Sequence, residues 1–200
     1  IKEFEEDVRP FWVVYGDVPY FEQIPEEFRS YFVEKKNPIY LVISMTEMKH
    51  HTLSEIAFNA IQQLGEQLMN ILPELCEKTE LMKTMNLLRE IRKLSLGYSY
   101  KQRLATFISF ADLKFYPAFF GACQSFQTII IALERFEMIR QWGSKIRNVL
   151  LDSLLRKSKK NLRFLVFAQH NDKIRLFHGS NEEADRKNIR FVKLAEREGM

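Results

Sequence analysis

A run of basic residues beside a predicted β-hairpin has the spacing needed to bind phosphate groups. The stretch from Arg156 to Gly179 is RKSKKNLRFLVFAQHNDKIRLFHG, and its cations lie on both sides of an apolar segment. Lysine and arginine neutralise phosphates, and an exposed Phe164 or Phe167 would stack on nucleic-acid bases. The candidate nucleic-acid or anion contacts are Arg156, Lys157, Lys159, Lys160, Arg163, Lys173 and Arg175.

The same charges have a structural explanation. Cations near the end of a helix complement its dipole, and a linker between a helix and a strand is solvated in any case. No glycine-rich loop and no aromatic pattern typical of RNA-binding strands accompanies the run. Residues 144–200 carry fourteen Lys and Arg against seven Asp and Glu, whereas residues 1–50 carry six against ten. We favour the structural explanation and keep RNA or DNA binding as the alternative.

The four histidines lack the spacing of a metal site. His50 and His51 are adjacent, so their side chains point to different sides of the chain, while His170 and His178 flank the hairpin. A metal site needs three or four converging ligands, and neither HxxxH nor HExxH occurs. We therefore predict surface or capping histidines, with no metal and no other cofactor.

No motif for nucleophilic or phosphate chemistry is present. GxSxG, GxGxxG and GxxxxGK[ST] are all missing from the sequence. Cys76 and Cys123 lie in apolar helical patterns, which predict buried thiols and a reducing intracellular compartment. An enzyme would need a site assembled only in three dimensions, so the sequence leans against one. Acids that such a site might use cluster among the N-terminal aromatic residues: Asp17, Glu22, Glu26 and Glu27.

Aromatic residues concentrate near the start of the chain. Tryptophan and tyrosine favour interfaces because they bury a large area at small entropic cost. The segment FWVVYGDVPYF could equally close the domain's own core, which we favour for most of these residues. The predicted hairpin strand is apolar on both faces, so it needs a cover from this chain or from a partner. The candidate partner contacts are Trp12, Tyr15, Leu165 and Phe167.

Helical periodicity dominates the middle of the chain. Apolar residues recur at 3.6-residue spacing from Leu53 to Ile71, after a capping box formed by Thr52 and Glu55. The longest pattern runs from Pro117 to Trp142. The segment from Phe115 to Leu133 has no charged side chain, so it is long enough to be considered as a membrane-spanning helix. Polar residues interrupt this span, so we predict a buried central helix and no membrane span. Further helices are predicted at 26–36, 79–94, 102–116 and 145–160.

The predicted fold is α+β and predominantly helical. A multi-helix core surrounds the long central helix over 117–142, with a small C-terminal antiparallel sheet. Its strands are 162–169 and 174–179, joined by a turn at His170–Lys173, with residues 37–45 and 189–194 as further strands. We expect one globular domain over 1–200. It comprises an aromatic N-terminal segment and short strand (1–45), a helical core (46–158), and a hairpin with a tail (159–200).

The predicted function follows from the missing catalytic motifs and the amphipathic helices. We expect a non-catalytic protein-interaction or scaffold domain of an intracellular protein, cytoplasmic or nuclear. Its contacts would be a protein partner or a second copy of the chain, made through helix faces and the hairpin edge. No small-molecule ligand is inferred.

Overall fold

The computed structural model describes residues 1–35, 38–72, 76–169 and 187–194. These residues divide into two compact units. The first, the sheet unit, comprises residues 1–49, 127–144 and 160–200. The second, the helical unit, comprises residues 50–126 and 145–159. The helical unit is therefore supplied by two connections between strands of the sheet unit.

The secondary-structure elements alternate along the chain. The strands are β1 (Phe11–Tyr15), β2 (Ile39–Ser44), β3 (Thr128–Glu134), β4 (Asn161–Ala168) and β5 (Ile189–Lys193). The α-helices are α1 (Lys2–Glu6), α2 (Gln23–Val33), α3 (Leu53–Ile71), α4 (Cys76–Leu94), α5 (Tyr100–Phe110), α6 (Tyr116–Ala122), α7 (Gly143–Ile146) and α8 (Asp152–Lys157). Tighter 3-10 turns cover Ser95–Gly97 and Phe136–Trp142, and wider π-helical turns cover Ala111–Phe115 and Arg147–Leu151.

The five strands form one parallel sheet in the order β2-β3-β4-β1-β5. The prediction of a mainly helical fold with a small antiparallel C-terminal sheet is therefore wrong. Parallel neighbours need long crossover connections, and here those connections carry the helices. The fold is mixed α/β, with strands drawn from the whole length of the chain.

The predicted central helix over 117–142 does not exist as one element. Helix α6 ends at Ala122, and β3 occupies Thr128–Glu134 in its place. A strand of a parallel sheet is covered on both faces, so it has a continuous apolar run rather than an alternating one. TIIIAL is such a run, and its three consecutive isoleucines favour extended backbone. Periodicity alone cannot separate a run of this kind from a buried helix.

The first strand of the predicted hairpin is present but is not in a hairpin. It is β4, which lies between β3 and β1 and is parallel to both. The predicted turn at 170–173 and the second strand at 174–179 lie outside the described residues. The strands predicted at 37–45 and 189–194 are confirmed as β2 and β5, although β5 pairs in parallel with β1.

The helix over residues 53–71 is confirmed together with its start. The Thr52 hydroxyl accepts a hydrogen bond from the Glu55 backbone N–H, and the Glu55 carboxylate accepts one from the Thr52 N–H at 2.7 Å. This reciprocal pairing satisfies two backbone donors that a helix start leaves open. Ser99 and Gln102 form the same arrangement at the start of α5.

Aromatic side chains fill one face of the sheet under α1 and α2. Phe28 of α2 meets Phe167 of β4 with ring centroids 5.6 Å apart, and Phe32 stacks on Tyr40 of β2 at 5.8 Å. Phe4 of α1 meets Trp12 of β1 edge to face at 5.4 Å. Helix α2 therefore packs across the sheet from β4 to β2. It lies in the connection that takes the chain from β1 to the edge strand β2.

The core of the helical unit is tightest where α3 crosses α4. Gly65 of α3 faces the buried Met85 of α4, and a Cβ on Gly65 would lie only 2.2 Å from the Met85 sulfur. Phe58 of α3 meets Phe107 of α5 with centroids 5.3 Å apart. A glycine at position 65 thus allows the two long helices to approach closely.

Candidate functional site

The carboxyl edge of the sheet is the first place where this topology can hold a ligand. Open parallel sheets bind ligands outside the carboxyl ends of their strands. In this chain the ends of β3 and β4 meet the start of α2 at that edge.

A cleft of about 270 Å³ opens there. Its base is apolar, and its rim carries acids and two arginines. No histidine, cysteine, serine or threonine lies among the described residues that line it. The lining residues are Phe21, Glu22, Pro25, Glu26, Arg29, Glu134, Arg135 and Phe167.

Arg135, directly after β3, organises one side of the cleft. It is the only non-glycine residue with positive φ (58°) in the described part of the chain. This backbone conformation is costly for a residue with a Cβ and persists only where the surroundings fix it. Its guanidinium donates to Glu22 Oε1 at 2.6 Å and to Gln169 Oε1 at 3.1 Å, and Glu137 lies 3.8 Å away.

Arg29 of α2 organises the other side. Its Nη2 donates to Glu134 Oε1 at 3.0 Å, and its Nη1 lies 3.3 Å from Glu26 Oε2. The Arg29 Nε is buried without a hydrogen-bond partner. Burial, and then the nearby Glu134 carboxylate, raise the pKa of the Tyr40 hydroxyl well above its ordinary value. Tyr40 is therefore a neutral phenol under the Arg29–Glu134 pair.

The two arginines form ion pairs with carboxylates of the cleft itself. Each guanidinium is already paired with two carboxylates, so an anion would have to compete with those carboxylates. The arrangement fixes loop geometry at the carboxyl edge and shows no acid–base pair aimed at a common point. Glu22 and Glu26 were recognised from sequence as acids of interest. Arg29, Glu134 and Arg135 were missed, because their convergence depends on β3 being a strand.

The basic run does not form one continuous exposed set. Arg156 donates to Ser153 Oγ at 3.0 Å, and Lys157 lies 3.7 Å from Asp112. Lys159 is exposed, whereas Lys160 is half-buried. Lys173 and Arg175 lie outside the described residues.

Arg163 is the exception within the run, because it lies in the core. Only 6% of it is exposed, and its guanidinium lies over the Phe4 ring at 3.8 Å from the centroid. Its Nε and Nη2 are buried without hydrogen-bond partners, and burial lowers its pKa. Phe164 and Phe167 are also fully buried, so neither offers a face for base stacking. The nucleic-acid hypothesis gains no support from these positions.

The four candidate partner contacts are buried as well. Leu165 and Phe167 are fully covered, and Trp12 and Tyr15 are at most 5% exposed. All four belong to strands at the centre of the sheet, and Phe167 packs against Phe28. Their placement gives no support to a role in partner contact.

The helical unit has an apolar groove that sequence reasoning did not locate. It has a volume of about 480 Å³ and is lined by Glu80, Thr84, Leu113, Lys114, Pro117, Ala118, Gly121 and Ala122. Ala118, Gly121 and Ala122 have the spacing of one helix face, so α6 presents small residues there. A Cβ on Gly121 would meet no heavy atom within 4 Å. Leu113 stands at the groove with 73% of its surface exposed.

A second apolar surface lies at the turn between α4 and α5. Leu94, Leu96, Tyr98 and Tyr100 are 72%, 69%, 45% and 39% exposed. Within the same seven positions only Ser95 is buried. This Leu/Tyr turn is thus a run of large apolar side chains that the helical unit does not cover.

The remaining predictions about ligands concern metals and membranes. His51 lies 3.3 Å from the Asn59 amide through Nδ1, and Cys123 is buried. Within the described ranges, no three His, Cys, Asp or Glu side chains are grouped so as to hold a metal ion. None of the helices in those ranges has the length and apolarity needed to cross a membrane.

Comparison of the chain with protein-family models, with curated proteins and with solved structures found no match.

Proposed function

We propose that this chain is a non-catalytic protein-interaction domain of an intracellular protein, and that a partner lays an amphipathic helix in the groove of the helical unit. One observation carries the proposal: an apolar groove remains open beside Gly121, lined by small residues of α6. Small residues let a second helix approach closely, and a groove of this kind is a common site for an amphipathic helix. The low cysteine content and the burial of Cys123 support the intracellular setting.

The lining of the groove suggests how such a helix is held. Leu113 and Pro117 offer apolar contacts, while Ala118 and Gly121 leave room for the partner's large side chains. Glu80 on α4 and Lys114 before α6 supply one charge of each sign. A partner helix with apolar residues at i, i+3 or i+4 and i+7 would bury this surface, and charges outside that stripe would meet Glu80 and Lys114.

The test uses a displayed library of twelve-residue helical peptides selected on the intact chain. We expect enriched peptides with the apolar i, i+3 or i+4, i+7 pattern. We also expect Gly121→Phe to weaken their binding at least about tenfold, because a Phe side chain would occupy the open space that the partner helix needs. Gly121→Ala is the matched control: it adds one methyl to the same open space and should leave the chain folded and binding.

Two results would count against the proposal. One is a selection that enriches no helical pattern. The other is binding that Gly121→Phe leaves unchanged while circular dichroism shows a folded variant. Light scattering on the purified chain adds a third arm: a dimer that Gly121→Phe dissociates would make the occupant a second copy of the chain.

A further inference from the structure

Hydrogen bonds close the backbone of the Leu/Tyr turn. The Ser95 hydroxyl donates to the Arg92 carbonyl at 3.0 Å, and the Tyr98 N–H donates to the Ser95 carbonyl at 3.0 Å. The Ser99 capping box then starts α5, and Arg103 Nε donates to the Tyr98 carbonyl at 3.1 Å. Leu94, Leu96, Tyr98 and Tyr100 are exposed on this hydrogen-bonded turn.

Cations surround the turn. Residues 89–103 contain Arg89, Arg92, Lys93, Lys101 and Arg103 against a single acid, Glu90. Arg89 is paired with Glu66 at 3.1 Å, and Arg92 donates to the Gln62 amide oxygen at 3.0 Å. The excess of positive charge remains when Glu66 is counted. Lys93 and Lys101, directly outside the four apolar residues, are exposed.

From this combination we propose that the Leu/Tyr turn docks onto the surface of a bilayer rich in anionic lipid. Leu94 and Leu96 would enter the acyl boundary, and Tyr98 and Tyr100 would lie at the headgroup level that tyrosine favours. The long stems of Lys93 and Lys101 let their ammonium groups reach lipid phosphates while the stems stay near apolar surface.

The exposure and the charge of the turn favour a bilayer over a protein partner. The four side chains lie within seven consecutive residues at the junction of α4 and α5, and all four are exposed. A protein partner would need a matching cavity for all four, whereas a bilayer adapts to them. The charge excess then selects anionic headgroups over neutral ones. This docking is separate from the groove beside Gly121, and neither depends on the other.

The experiment is co-sedimentation of the intact chain with sucrose-loaded vesicles. One set is pure phosphatidylcholine, and the other contains about thirty per cent phosphatidylserine, a composition with the negative surface potential of a cytoplasmic leaflet. We expect binding to the anionic vesicles that weakens with added salt, and much weaker binding to the neutral ones. Changing Leu94 and Leu96 together to Ser should lower the partition coefficient about tenfold or more, because two buried apolar side chains are lost.

Charge variants test whether Lys93 and Lys101 bind the anionic headgroups. Lys93→Glu with Lys101→Glu should lower partitioning at least about 25-fold, since each lysine near an anionic surface contributes about fivefold and each glutamate is repelled. The matched controls are Leu113→Ser and Lys114→Glu, which change equally exposed residues elsewhere in the helical unit. Both controls should bind vesicles like the unchanged chain.

Three results would overturn the proposal. They are no binding to anionic vesicles at low salt, equal binding to both vesicle types, and loss of binding in the Leu113 and Lys114 controls. Binding to soluble polyglutamate is measured as well. If the chain binds polyglutamate but not anionic vesicles, its partner is an acidic protein, and the bilayer proposal is overturned. Circular dichroism and thermal unfolding of every variant confirm that each is folded.

Discussion

The sheet unit and the helical unit differ in how many large apolar side chains they leave exposed. Of the eleven large apolar residues that are exposed in the described part of the chain, eight belong to the helical unit and three to the sheet unit. The sheet unit encloses an aromatic cluster between the sheet and α1 and α2. The helical unit leaves the groove beside Gly121 and the Leu/Tyr turn uncovered. Exposed apolar area that a fold does not need for its own core is a signature of interaction surfaces.

Their polar groups differ as well. In the sheet unit, the charged groups of the cleft at the carboxyl edge are paired with one another, because Arg29 and Arg135 form ion pairs with the surrounding carboxylates. Among the described residues that line the groove of the helical unit, Glu80 and Lys114 are the charged ones. This difference is why we propose that the helical unit, rather than the sheet unit, binds the partner.

The largest expected difference is in the free energy of unfolding, between a substitution at a buried aromatic residue and one at an exposed apolar residue. Phe167→Ala removes a fully buried ring that packs against Phe28, and it should lower the free energy of unfolding by about 3–5 kcal/mol. Leu113→Ala, at a residue that is 73% exposed, should change it by less than about 0.5 kcal/mol. Urea unfolding measures both. A cost at Leu113 as large as that at Phe167 would show that the groove belongs to the core.

The two helical glycines of the helical unit should respond in opposite directions. Gly65→Ala would place a Cβ against the fully buried Met85, and the repacking should cost about 1 kcal/mol net of the gain in helix propensity. Gly121→Ala meets open space and should stabilise the chain by about 0.5–1 kcal/mol. Thermal unfolding of the pair gives the signs. Destabilisation by Gly121→Ala would mean that the groove is filled in the folded chain.

In the sheet unit, substitutions at Arg135 separate backbone strain from side-chain pairing. Arg135→Ala and Arg135→Gly lose the same contacts to Glu22, Gln169 and Glu137, but only glycine relieves the positive φ of 58°. The glycine variant should therefore be more stable than the alanine variant by about 1 kcal/mol. Equal stabilities in urea unfolding would argue against the left-handed conformation at this position.

The smallest expected effect concerns pH and the start of α3. Burial tends to raise the pKa of Glu55, but the hydrogen bonds from the Thr52 N–H and hydroxyl outweigh it, so the folded-state pKa is lowered. A lowered pKa stabilises the folded chain above the unfolded value of about 4.5, and this stabilisation is lost as the pH falls through the folded pKa.

A comparison of Glu55→Gln with the unchanged chain isolates this contribution. The variant should lose less stability between pH 5 and pH 3, with a difference below about 1 kcal/mol, the usual value of a helix cap. Urea unfolding at several pH values measures it. Parallel pH profiles for the two proteins would remove Glu55 from the acid sensitivity of the fold.

The sequence predicted local structure well where the relevant residues are neighbours in the chain. The helix over 53–71 and its capping box follow from contacts three or four residues apart, and they were predicted correctly. The strand over 162–169 was also placed correctly. Its partners were not, because β3 and β1 lie far away in sequence and a local pattern does not show which strands pair.

The central error came from one apolar run. TIIIAL in β3 follows the apolar residues of α6, so the two merged into one predicted helix over 117–142. Losing β3 also hid the acids and arginines at its carboxyl end, and the cleft with them. The burial of Arg163 was equally hidden, because a cation in a basic run gives no sign of the Phe4 ring that covers it.

The measurement that tests the central claim most directly is hydrogen–deuterium exchange of the chain with and without a helical peptide selected on it. If the helical unit is the binding unit, amides in residues 80–84 and 113–122 should become protected, while those in β1 and β2 stay unchanged. Protection at the carboxyl ends of β3 and β4, with residues 113–122 unaffected, would contradict the account and place binding in the sheet unit.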